Sequence, residues 1–176
     1  NAVYDELIRR YENKTLSFRN VVVFNAYEYY PLQKESSVRT INQLKERFLN
    51  HVDIAEQNIF TLDGFVAQEA VQDCCRLYEQ RIKTFGGLDI ALIGIGRSGN
   101  IAANEPGSGI QSMTRLILIG NTSREEMENS EQTKETLPPC SLTMGIATLL
   151  SAKAIYLTAW GEEKAEIMQK VVENSI

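Results

Sequence analysis

Gly94, Gly96 and Gly99 follow directly on the apolar run of residues 90–93, and Asn100, Asn104 and Glu105 come within a few positions of them. The run has the length and composition of a buried strand, and glycines after it make a loop whose N–H groups can approach a ligand with no Cβ in the way. Polar side chains close behind would supply directional contacts. This is the build of a binding site at the carboxyl end of a parallel strand.

Two further stretches share that character. The run of residues 21–24 ends in Asn25, Tyr27, Glu28, Tyr29 and Tyr30, where polar and aromatic groups either meet a ligand or simply pack. Gly161, Glu162, Glu163 and Lys164 open the last helical pattern, so N–H groups and one lysine meet at a helix start. That suits a phosphate, the alternative being a solvated lysine on an exposed first turn. Three strand ends on one rim of a sheet would converge on one ligand.

The remaining reactive side chains point elsewhere. Cys74 and Cys75 are adjacent in a helical pattern and Cys140 stands alone, which fits neither a disulfide framework nor metal-ligand spacing. They read as small core residues. His51, the single histidine, sits where a helix ends and reads as a cap. The 18 basic and 23 acidic residues give a mildly acidic balance with no block of one sign, which argues against a nucleic-acid surface. No apolar run approaches the roughly 18 residues that cross a bilayer, and no charged-then-apolar leader opens the chain. The expectation is a soluble, cytoplasmic protein with no membrane partner.

The elements that must position these residues follow from periodicity. Helical spacing covers residues 2–13, then 39–50 through Ile41, Leu44 and Phe48, and 66–84 through Val71, Cys74, Tyr78 and Ile82. Strands are expected at residues 21–24, 59–62, 90–93, 115–119 and 155–159, with an apolar helix over 143–150 and a last helix carrying Ala165, Met168 and Val172. Residues 121–139 are polar and acidic and read either as a helix start or as a lid. At 176 residues the chain is one domain. The alternation of strand and helix predicts a three-layer α/β/α architecture around a mostly parallel, Rossmann-like sheet.

The three glycines match the G-x-G-x-x-G spacing of dinucleotide sites, but Pro106 cuts the following helix short. Gly120 and Asn121 stand where the acidic ribose ligand belongs, so a nicotinamide cofactor is not the expectation.

Taken together, GIGRSGNIAANEPGS and four flanking segments resemble the glucosamine-6-phosphate deaminase (isomerase) family, in order over nearly the whole chain. The flanking segments are SFRNVVVFNAYEYYPL, FLNHVDI, SLTMGIATLLSAK and WGEEKAEIMQKVVE. NEPGS separates this branch from the related sugar-lactone hydrolases. Among family members the chain is similar to the long Bacteroidetes-type proteins, in which this domain precedes a deacetylase-like one. The resemblance implies the family's three-layer fold and a reaction converting glucosamine 6-phosphate to fructose 6-phosphate and ammonia, with no cofactor and no metal. It also implies a single domain over residues 1–176 that lacks the first strand, the phosphate loop before Asn1 and the C-terminal end.

The same resemblance assigns roles. The family's general base is an aspartate where this chain has Tyr27, and its ring-opening aspartate and histidine are replaced by Ser98 and Asn100. Glu105, which tunes that histidine, is retained. Substrate contacts are expected from Gly94, Gly96, Gly99, Asn104, Lys164 and Arg124. Lys164 matches the family's phosphate lysine, Arg115 and Arg124 match family positions, and a phosphate arginine is replaced by Asn129.

The replacements have chemical consequences. Serine and asparagine accept no proton near pH 7, and a tyrosine with a pKa of about 10 stays protonated. Each positioned acid or base removed lowers a rate by about 10²–10⁴-fold. In an extended segment Glu28 points away from the face of Tyr27, so it is no ready substitute. The expectation is a family member with weak or absent turnover, or else a non-catalytic sugar-phosphate-binding or assembly domain of a larger polypeptide. Its partner would be a small phosphorylated sugar, with homo-oligomerisation expected from the family's habit.

Overall fold

In the computed structural model, residues 2–33, 36–130 and 135–173 are described. Helix α1 (Ala2–Glu12) leads to the short strand β1 (Val23–Phe24) and to β2 (Tyr27–Tyr30). Helix α2 (Thr40–Arg47), β3 (Ile59–Phe60), α3 (Val71–Thr84) and β4 (Ile90–Gly94) follow. The second half runs through β5 (Arg115–Leu118), α4 (Asn121–Ser130), β6 (Cys140–Thr143), α5 (Ile146–Leu150), β7 (Ala154–Thr158) and α6 (Ala165–Glu173). This is an α/β fold of alternating strands and helices.

The strands pair in three groups. β1 lies parallel to β3 and β4 parallel to β7, whereas β6 runs antiparallel between β2 and β5. Two expectations change here. Residues 27–30, expected as the end of the strand over 21–24, form a strand of their own, because Tyr27 through Tyr30 find partners in register from Thr143 to Cys140. Thr143, expected to begin a helix, instead ends a strand over residues 140–143, because β2 and β5 take both edges of that segment. The helix starts only at Ile146, after Gly145, where a Cβ would lie 2.1 and 2.4 Å from the Ser112 and Met113 carbonyl oxygens. Apolar composition alone cannot separate a central strand from a buried helical turn. The acidic stretch begins as helix α4; residues 131–134, within the alternative lid, lie outside the described residues.

Three clusters make the core. Val71, Cys75, Tyr78 and Ile82 of α3 pack on Ala91 and Ile93 of β4 and on Leu142 of β6. The expected stripe holds at Val71, Tyr78 and Ile82, and between them Cys75 rather than Cys74 is the buried cysteine, Cys74 being half-buried. Tyr29, Leu32, Val38, Ile119 and Leu137 form a second cluster, and Phe18, Ile41, Phe48 and Leu49 a third, with Tyr4 of α1 stacked 5.1 Å from Phe48. β4 was expected to be buried throughout, but Ile90 and Leu92 on its second face are exposed.

One buried carboxylate ties the layers. Oε1 of Glu79 on α3 accepts hydrogen bonds from the Thr114 N–H at 2.9 Å and from the hydroxyls of Thr114 and Thr148, both at 2.5 Å. It thereby joins α3 to the start of β5 and to α5. His51 caps as expected, its Nε2 bonded to the Glu46 carbonyl at 2.9 Å.

Candidate functional site

The glycine loop is held by its own backbone. After β4, the Gly96 N–H donates to the Asn100 carbonyl at 2.9 Å and the Gly99 N–H to the Gly96 carbonyl at 3.0 Å. Gly99 takes φ +91°, a conformation that side-chain-bearing residues rarely adopt. Position 96 must also lack a side chain, since a Cβ there would fall 1.7 Å from Asn100 Oδ1. The local sequence therefore dictates a tight loop that turns its polar side chains inward.

Those side chains form a connected set. Ser98 Oγ donates to Asn100 Oδ1 at 2.9 Å and lies 3.2 Å from the hydroxyl of Ser123, on the first turn of α4. Glu105 Oε1 accepts the Gly120 N–H at 2.9 Å, immediately before the same helix. Ser98, Asn100 and Glu105 thus meet around the start of α4, where a carboxylate is favoured by free N–H groups and the helix dipole.

Tyr27 approaches from the neighbouring sheet. It is half-buried, pairs with Thr143 across β6, and sets its ring edge-on to Tyr29 at 6.0 Å. Thr143 Oγ1 accepts the Ala103 N–H at 3.3 Å and faces Arg115 on the far strand, so one row of residues links Tyr27 to the glycine loop. Tyr29 and Tyr30 are buried and pack.

Two expected contact residues are engaged by the protein itself. Asn104 is buried, and its Nδ2 donates to the carbonyls of Ile101 and Met144 at 3.0 and 2.8 Å, while its Oδ1 accepts from Arg115 at 2.8 Å. The Arg124 guanidinium donates to the Leu137 and Pro138 carbonyls at 2.8 and 2.9 Å, fastening α4 to the entry of β6. Both residues shape the loop and its frame.

Lys164 is buried, contrary to the solvated alternative. Its Nζ is in contact with Glu126 Oε1, and Glu126 Oε2 accepts the Arg97 N–H of the glycine loop at 2.8 Å. Burial, and then the charge of Arg97, lower the lysine pKa from its ordinary value. Lys164 and Gly94 also line a cleft of about 300 Å³ beside β4, together with Val3, Tyr4, Leu92 and Trp160. Tyr27, Ser98, Asn100, Glu105 and Arg124 do not line that cleft.

Glu126 and Ser123 escaped the sequence reading. They lie three residues apart, so a helix would put them on one face, but the acidic run SREEMENSE reads as solvated surface until its neighbours are known. Among the described residues, no group of three or more His, Cys, Asp or Glu could hold a metal ion.

Glu28 does face away from Tyr27. It is fully buried, and its Oε1 accepts the N–H groups of Tyr29 and Thr40 at 3.0 and 2.9 Å, the latter at the start of α2. Burial raises its pKa above the ordinary 4.5, against the opposing pull of the Thr40 and Tyr29 N–H groups. The folded state therefore holds this proton more tightly than the unfolded chain does. Its contribution to stability is present at low pH and is lost as pH rises from 4.5 through the raised folded value. Glu28→Gln has no proton to lose, so its urea midpoint should fall less than that of the native protein across this window. Parallel midpoint-versus-pH curves would contradict that reading of Glu28.

Fold and site together define an α/β domain whose loop and strand-end polar residues gather around the start of α4. The family model described as glucosamine-6-phosphate isomerases/6-phosphogluconolactonase matches residues 1–175, and the chain belongs to that family. It is 56% identical over 174 residues to a glucosamine-6-phosphate deaminase-like protein of Bacteroides thetaiotaomicron, covering 99% of this chain and 26% of that protein. It is 35% identical over 175 residues to the glucosamine-6-phosphate deaminase of Oceanobacillus iheyensis, covering 99% of this chain and 69% of that one. A solved monomeric glucosamine-6-phosphate deaminase superposes with a TM-score of 0.91 at 34% identity, over 99% of this chain and 71% of that chain. The 6-phosphogluconolactonase of Trypanosoma brucei, 17% identical with a TM-score of 0.68 over 96% of this chain and 69% of its own, shares the fold. Among the described residues, no helix is long and apolar enough to cross a membrane.

Proposed function

We propose that this chain is a sugar-phosphate-binding domain of the deaminase branch of its family, in which turnover of glucosamine 6-phosphate to fructose 6-phosphate and ammonia is weak or lost. One observation carries the reading. Around a loop that keeps its glycines and Glu105, the three positions where the family's acid and base residues belong hold Tyr27, Ser98 and Asn100. The Ser98 hydroxyl donates to the Asn100 amide oxygen, a pair of neutral groups that exchange no proton near pH 7. Glu28, the nearest carboxylate in sequence to Tyr27, is buried against α2 and offers no substitute base. The Ala103 and Gly120 N–H groups are held by Thr143 and Glu105, so the frame persists around the altered groups.

The ligand class is a small phosphorylated sugar, bound at the side of the loop that carries Lys164. Cys74, Cys75 and Cys140 are all free thiols, in keeping with a reducing, cytoplasmic setting. The test is ammonia release from glucosamine 6-phosphate by the intact protein. No release above the buffer blank is expected. Release at the rate of a deaminase with the full acid and base set would overturn the proposal.

A further inference from the structure

Lys164, beside the glycine loop, is a nearly buried cation, only 9% exposed, with the charge of Arg97 close enough to lower its pKa. A site of that kind requires an anion, because a buried ammonium without one is costly. Here the anion is part of the chain. The Glu126 carboxylate places one oxygen against Lys164 Nζ and the other on the Arg97 N–H, so it takes a cation and a loop amide at once. These are the groups that a phosphate entering by the adjoining cleft would use, since Lys164 lines that cleft and Arg97 lies on the loop that Gly94 begins.

We infer that Glu126 is a specificity-determining residue, a built-in carboxylate that occupies the anion position at Lys164 and competes with the phosphate group of a sugar-phosphate ligand. The inference rests on the sugar-phosphate reading of the site. Competition is feasible because the Glu126 side chain is 25% exposed and can turn away about its own bonds while Arg124 keeps α4 in place. An incoming dianion brings more negative charge to Lys164 than a carboxylate does, yet it must first displace a partner held at no translational cost. Removing the Glu126 charge leaves Lys164 and the Arg97 N–H open to the ligand.

The experiment is calorimetric titration of the intact protein with glucosamine 6-phosphate, inorganic phosphate and unphosphorylated glucosamine. Native, Glu126→Gln, Glu126→Ala and the double variant Glu126→Gln/Lys164→Met are compared, with circular dichroism melts to establish folding. Both single variants are expected to bind the two phosphate-bearing probes at least about 10-fold more tightly than native, with no gain for glucosamine and loss of the gain in the double variant. Equal phosphate affinity in native and single variants overturns the role of Glu126 and leaves the sugar-phosphate site standing. Absence of phosphate binding in every form overturns the site as well. A gain that survives loss of Lys164 shows that Glu126 acts as a general surface charge, and it too overturns the inference.

Discussion

At saturating glucosamine 6-phosphate, the triple variant Tyr27→Asp, Ser98→Asp, Asn100→His of the intact protein is expected to release ammonia at least about 10²-fold faster than the native form. The reaction asks for a base that moves a proton between two sugar carbons and for an acid and base pair that opens the ring. At neutral pH the native side chains at these positions cannot serve, because a phenol stays protonated and a hydroxyl bonded to an amide has no proton affinity to offer. The three replacements lie on two elements, β2 and the glycine loop, already joined by hydrogen bonds. Tyr27 is opposite Thr143, whose hydroxyl holds the Ala103 N–H of the loop, and Ser98 contacts Asn100 directly. Groups that act as a unit give grossly non-additive effects, so each single replacement should recover little. Working at saturation separates turnover from phosphate affinity, which Glu126 governs. A folded triple variant no faster than native would mean that the frame no longer aligns a sugar with these positions, and the proposed function would fall.

The second large effect concerns stability. Glu79→Ala should destabilise the fold by about 3–5 kcal/mol, since three donors converge on one oxygen and breaking a buried hydrogen-bond network is among the few changes that reach this size. The loss arises because the Thr114 N–H and two hydroxyls would remain buried without an acceptor. For a domain of this size the melting temperature should fall by about 10 °C. Glu79→Gln keeps an oxygen at the same place and should lose much less. Equal losses for the two variants, read by urea or thermal unfolding, would show that the packing of the side chain rather than its acceptor oxygen matters.

Much of the site was legible from residue types. Gly96 and Gly99 mark a loop that tolerates no Cβ at one position and needs a positive φ at the other, and both demands are local. His51 at a helix end and the free cysteines were equally readable, because a cap and a small core residue depend on nearby sequence. That Glu28 points to the face opposite Tyr27 followed from strand geometry alone.

The less legible features all depend on partners distant in the chain. Asn104 and Arg124 look like ligand residues by type, yet their polar atoms are taken by Arg115 and Met144 and by Leu137 and Pro138. Thr143 reads as the start of the helix because an apolar run suits either state, and only β2 and β5 on the two edges of β6 decide for a strand. Glu126 is one acid in a run that reads as a helix start or a lid until α4 sets it against Lys164.

The sequence by itself determined the α/β alternation, the glycine loop after β4 and the identity of the groups that can or cannot carry a proton. These are properties of backbone freedom, periodicity and side-chain chemistry, which each residue carries with it. Only the tertiary structure decided which charges meet, which amides are already satisfied and which carboxylate stands at the buried lysine. Electrostatic and hydrogen-bond partnership is settled by distance in space, and no spacing along a chain encodes it.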